Sequence, residues 1–156
     1  MTSRRQFLGL TLGTLTVGEA LAQLPPNIAA LRQKALDEAI RKVTGGAEVR
    51  PGKVKLDLPP LIDNGNTVPL TVIVDSPMTE AEHVRAIHVF TEKNPQPFVI
   101  GAHLGPRAGR ARLATRARIA DTGRVIAIAE LSDGSFWSDT VSVVVTLSAC
   151  LEDGLI

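Results

Sequence analysis

A chain of 156 residues is long enough for one domain with a genuine hydrophobic core. Seventeen Lys and Arg against sixteen Asp and Glu leave a net charge of +1, which excludes the strongly basic surfaces used on nucleic acid. Val, Ile and Thr are plentiful beside four Phe, one Trp, no Tyr and one Cys, a composition that suits a β-rich globular domain and excludes a scaffold stapled by internal disulfides.

Residues 1–22 read as an export leader. Ser3-Arg4-Arg5-Gln6-Phe7-Leu8 places a twin arginine before a moderately apolar run, Leu8 to Val17, and Ala20-Leu21-Ala22 supplies a small-x-small cleavage signal. The apolar run is too short to span a bilayer, so no membrane span is expected. The expected mature chain begins near Gln23 in a bacterial periplasm, and removal of Arg4, Arg5 and Glu19 leaves it with 15 basic and 15 acidic residues.

The next segment, 23–46, is expected to be a linker and a helix. Leu24-Pro25-Pro26 is the linker, and Asn27 is the expected N-cap. Ile28, Leu31, Ala35, Leu36, Ala39, Ile40 and Val43 then recur at helical spacing, with charged residues on the other face, until Gly45-Gly46. Such a helix has one apolar stripe and must lie on something.

After Pro51-Gly52 the period changes to two. Strands are expected over 53–58, 68–75, 84–91, 98–104, 110–120, 125–131 and 141–147, separated by turns such as Asn64-Gly65-Asn66, Asn94-Pro95, Asp121-Thr122-Gly123 and Ser132-Asp133-Gly134-Ser135. Pro69 places the start of its strand at an edge. The strand at 110–120 alternates most cleanly, with Ala111, Leu113, Thr115, Ala117 and Ile119 expected inward and Arg110, Arg112, Arg116 and Arg118 outward. Short strands at turn spacing of roughly ten residues, without crossover helices, predict a mainly β protein over 47–147: an immunoglobulin-like antiparallel β-sandwich with one N-terminal amphipathic helix.

No nucleophile elbow, phosphate loop or zinc-protease motif occurs. His83, His88 and His103 with Cys150 follow no metal-ligand spacing, and no metal site is expected. Arg107, Arg110, Arg112, Arg116 and Arg118 are either a solvated outer face or a surface for an acidic partner or an oxyanion, which guanidinium binds bidentately. Cys150 stands three residues beyond the last expected strand, at the start of a short arm, 148–156. A lone cysteine is buried and inert, joined to another molecule, or kept free for chemistry.

Several stretches carry a family resemblance. Lys53-Val54-Lys55-Leu56-Asp57-Leu58-Pro59, Asn64-Gly65-Asn66-Thr67-Val68-Pro69, Asp75-Ser76-Pro77-Met78-Thr79, Ile87-His88-Val89-Phe90-Thr91-Glu92-Lys93-Asn94-Pro95, Leu104-Gly105-Pro106-Arg107-Ala108-Gly109 and Ser132-Asp133-Gly134-Ser135-Phe136-Trp137 resemble SoxY, a subunit of the Sox sulfur-oxidation system. The resemblance spans nearly the whole mature chain and includes the twin-arginine leader. It implies a periplasmic carrier that has no cofactor and no catalysis of its own. It also implies a heterodimer with a SoxZ-like subunit, with sulfur species from thiosulfate held covalently on Cys150 while other Sox enzymes act on them.

The arm departs from the family pattern. Where the family has Gly-Gly-Cys-Gly-Gly, this chain has Ser148-Ala149-Cys150-Leu151-Glu152 and then continues. Loss of glycine stiffens the arm, Leu151 adds bulk, and Glu152 and Asp153 add negative charge beside the thiol. Two other readings stay open: a diverged subunit that only forms a complex with a SoxZ-like partner, and a small metal or redox protein using Cys150 and a histidine.

Overall fold

The computed structural model describes residues 26–147, so the leader and the arm with Cys150 lie outside the described residues. The helix α1 runs Pro26–Thr44. Asn27 is inside it, not at its cap, because Pro26 takes the first helical position, where its missing N–H costs nothing. Gly45 and Gly46, at φ +63° and +86°, end it in the left-handed conformation that glycine adopts freely. The buried stripe is narrower than the periodicity predicts: Leu36 is fully buried, with Ala39, Ile40 and Val43 packed beside it, whereas Leu31 stands in solvent.

Nine strands follow among the described residues: β1 (Val49–Pro51), β2 (Val54–Asp57), β3 (Leu61–Asn64), β4 (Val68–Val74), β5 (Val84–Thr91), β6 (Phe98–His103), β7 (Arg112–Ala117), β8 (Gly123–Leu131) and β9 (Phe136–Leu147). They form two sheets. The larger has the order β1-β9-β8-β5-β6, with β3 also on β9, and the smaller has β2-β4-β7. This is the expected immunoglobulin-like sandwich.

Two strands were not legible, β1 and β3. Both are short, and both pair in parallel with one edge of β9, β1 at Phe136–Ser138 and β3 at Val144–Leu147. The sandwich is therefore not purely antiparallel. Three or four residues flanked by Pro and Gly carry too little alternation to reveal a strand whose partner lies some 80 residues away. The expected strand over 141–147 is in turn only the second half of β9, because β8 continues to pair with it back to Phe136.

The core lies between the sheets. Val68, Leu70, Val72 and Val74 of β4 alternate inward as period two requires, and meet Ile87, Val89, Val125, Ala127, Val143 and Val145 from the large sheet. The opposite face of the large sheet is also covered. Phe90, Ile128 and Phe136 lie under Leu36 of α1, which is why β5 is buried on both faces. Full burial of a leucine contributes about 1.5–3 kcal/mol, so Leu36 is the side chain that seats the helix.

Pro69 behaves as expected. It pairs with Arg116 of β7, while β2 reaches only Thr71, leaving the proline's other side unpaired. At Gly52, φ +113°, the chain leaves the large sheet for the small one, and the ring of Trp137 covers the turn 3.7 Å from where a side chain would begin.

Candidate functional site

The end of β9 is the structure nearest in sequence to Cys150, and it is held on both edges. On one side β3 runs parallel to it in the register Leu61↔Val144, Ile62↔Val145 and Asn64↔Leu147. The N–H of Val144 donates to the carbonyl of Pro60 at 2.8 Å, and the N–H of Gly65 donates to the carbonyl of Leu147 at 3.2 Å. The Thr146 hydroxyl donates to the carbonyl of Asp63 at 3.2 Å. On the other side β8 ends at Gly123 opposite Val143. There the Thr122 hydroxyl takes over, accepting from the N–H of Val145 at 2.9 Å. The strand is thus braced to its last described residue.

Cys150 follows Leu147 by three residues. It lies outside the described residues.

The five arginines do not form one surface. Arg107 sits in a single 3-10 turn, Pro106–Ala108, and Arg110 precedes β7. Arg112 lies in register with Ile73 of β4 and Lys55 of β2 on the exposed face of the small sheet. Arg110 and Arg112, with Lys53, Lys55, Ile73 and Asp75, line an open groove of about 600 Å³. Arg116 is farther along β7, opposite Pro69. Arg118 is at the other end, next to Ile119, whose N–H donates to the carbonyl of Gly65 beside the tip of β9. The alternation itself is as expected: Arg110, Arg112, Arg116 and Arg118 are exposed, and Ala111, Ala117 and Ile119 are buried.

The histidines are likewise separated. The ring centroids of His88 and His103 are 6.2 Å apart. His83 is elsewhere, its Nδ1 3.1 Å from the carbonyl oxygen of Thr79. Among the described residues no group of three His, Cys, Asp or Glu side chains is placed to hold a metal ion. Burial first, and the neighbouring His103 second, hold the His88 imidazole below its ordinary value, with Glu130 acting in the opposite direction.

Two of the stretches that carried the family resemblance turn out to be braces. Asp133 Oδ1 accepts from the Ser135 N–H at 2.9 Å and from its hydroxyl at 2.7 Å, and Ser135 Oγ accepts from the Trp137 indole at 3.0 Å. These bonds from Ser135 hold the exposed Asp133 carboxyl below its ordinary value. Asn94 donates to the carbonyl of Arg118 at 2.8 Å and accepts from the N–H of Ala120 at 2.8 Å, tying the turn after β5 to the connection after β7. Such side-chain clasps explain why Asn, Asp and Ser recur at those turns.

The family model of the sulfur oxidation protein SoxY matches residues 40–150, which include β1 to β9 and end on Cys150. The chain belongs to the SoxY family. The structure of the sulfur carrier protein SoxY from Chlorobium limicola f thiosulfatophilum is similar, with a TM-score of 0.62 and 25% identity over 74% of this chain and 99% of that one. Superoxide reductases share the fold at lower identity. Neelaredoxin from Ignicoccus hospitalis has a TM-score of 0.54 at 15% identity, covering 60% of this chain and 80% of its own. No curated protein matches the sequence.

Within the SoxY family frame, the residues that sequence reasoning missed are those around the strand end. Thr122 was legible only as a turn residue, since nothing local shows that its hydroxyl reaches Val145. Lys53 and Lys55 joined no arginine in the sequence, and only the register across β2, β4 and β7 sets them in one groove with Arg110 and Arg112, on the other side of Ile73.

Proposed function

We propose that this SoxY-family chain is a sulfur carrier, and that Cys150 is where the sulfur is attached. The observation that carries the reading is the bracing of β9 as far as Leu147, three residues before the family model ends on the lone cysteine. A firm strand under a short arm lets one thiol be offered to several enzymes while the fold stays unchanged. With a single cysteine in the chain, the adduct has no internal thiol to discharge it as a disulfide.

The chemistry fits a thiolate. Joining the Cys150 thiolate to the outer sulfur of thiosulfate forms one S–S bond and releases two electrons, so the step requires an electron acceptor on a partner enzyme. The sulfonate group then leaves by hydrolysis, water supplying the fourth oxygen of sulfate, and the outer sulfur stays on the carrier. The carrier itself performs none of these steps. Residues 1–22 act as a twin-arginine leader cleaved near Ala22, and the mature chain works in the periplasm as a heterodimer with a SoxZ-like subunit. The groove with Arg110, Arg112 and Lys55 offers a cationic surface to an acidic partner or an oxyanion, and Arg107, Arg116 and Arg118 lie outside it.

Intact mass tests the reading. After incubation with thiosulfate and the other pathway proteins, the chain should gain a sulfur adduct that Cys150→Ser abolishes. A thiol that stays unmodified and resists alkylation would leave only an assembly subunit.

A further inference from the structure

Six large apolar side chains are exposed among the described residues, and three of them, Leu61, Val144 and Leu147, lie at the end of β9. They are 58%, 52% and 67% exposed. Leu61 and Val144 are register partners, so they stand together on the outer face of the large sheet. Leu147 has the parity of Val143 and Val145, which belong to the core between the sheets, and it projects past the core's end. The tip therefore carries apolar side chains on both of its faces, with Thr146 beyond Val144 on the outer one, and Asp63, Asn64 and Thr122 form a polar rim around it.

A flat partner covers one face of such a tip, whereas a cleft covers both. The reach of the arm decides which partner meets it. An enzyme that reacts with Cys150 has to bring its reacting groups within the about 11 Å that three residues span, so the mouth of its cleft meets Leu147 first, and walls that extend about 10 Å farther along the strand cover Val144 and Leu61. Resting on the carrier reading above, we infer that Leu61, Val144 and Leu147 are the surface by which a sulfur-processing enzyme grips this chain. The cleft it predicts has two apolar walls and a mouth that carries cations or hydrogen-bond donors opposite Asp63.

The test compares enzymatic loading with plain chemical reactivity. A triple variant, Leu61→Ser, Val144→Thr and Leu147→Ser, removes the apolar surface with residues that strands tolerate, and Leu147→Ser alone serves if the triple variant does not fold. The heterodimer is loaded with thiosulfate and the pathway enzymes, and the adduct on Cys150 is followed by intact mass. Loss of three apolar contacts should raise the carrier concentration needed for half-maximal loading at least about tenfold, and Leu147→Ser alone about threefold. The maximal rate, and the rate of iodoacetamide alkylation without enzymes, should stay unchanged. Unchanged half-maximal concentrations overturn the inference. Faster alkylation in the variants also overturns it, since the surface would then be covered by the chain's own Leu151, Leu155 and Ile156. If the unsubstituted chain takes no adduct at all, the carrier reading itself has failed and this inference falls with it.

Discussion

The Thr122 hydroxyl oxygen lies 2.9 Å from the backbone nitrogen of Val145, and it does for the last strand what β8 has ceased to do two residues earlier. Thr122→Val keeps the shape and removes the acceptor, leaving a part-buried N–H without a partner. A stability loss of about 1–2 kcal/mol is expected. Hydrogen exchange should show faster exchange of the Val145 amide while those of Ala127 and Val143 remain protected, and equal protection throughout would refute the brace.

Asp139 acts at a second seam. Its Oδ2 accepts from the N–H of Leu56 at 2.8 Å, closing the edge of β2 against the large sheet. Asp139→Ala should cost about 1–3 kcal/mol in urea unfolding, because Leu56 is buried and its N–H loses this acceptor. Asp139→Asn retains an acceptor and should lose less. Equal losses in the two variants would show that the bond itself is not what matters.

Gly101 faces a crowded spot. A Cβ there would come 3.0 Å from Phe98 Cζ and 3.1 Å from His88 Nδ1. Phe98 is half-exposed and can yield, but His88 is buried and cannot move far. Gly101→Ala should therefore destabilise the fold by about 1 kcal/mol, at the lower end of overpacking costs. Combining it with His88→Ala should relieve the clash, so the double variant should lose less than the sum of the two single losses.

His88 also makes stability sensitive to acid. Burial and His103 favour its neutral form in the folded chain, and its Nδ1 has no hydrogen-bond partner among the described residues. With the folded value below the unfolded one, the unfolded chain binds the proton first as pH falls through about 6.5, so stability is full above that pH and declines below it. Urea unfolding at pH about 7.5 and about 5 should show a smaller difference for His88→Phe than for the unsubstituted chain. A larger difference in the variant would contradict the assignment.

The groove on the small sheet predicts a salt effect. Arg110→Gln with Arg112→Gln removes two of the cations around Ile73 without touching the core, since both arginines are exposed. Association with an acidic partner should weaken severalfold at low salt, and the difference should shrink as ionic strength rises. Monitoring assembly by light scattering at two salt concentrations checks this, and a loss independent of salt would point away from electrostatics.

Alternation and turn chemistry were enough to recover, from the chain alone, the helix, most strands and the outward arginines, because each is written in neighbours a few residues apart. The short parallel strands β1 and β3, the burial of β5 on both faces, the placing of Lys55 and Arg112 on either side of Ile73 and the reach of Thr122 to Val145 were decided only by the packed sandwich. Each of those depends on residues far apart in the chain, and no local periodicity encodes which edge of β9 a distant three-residue segment will occupy.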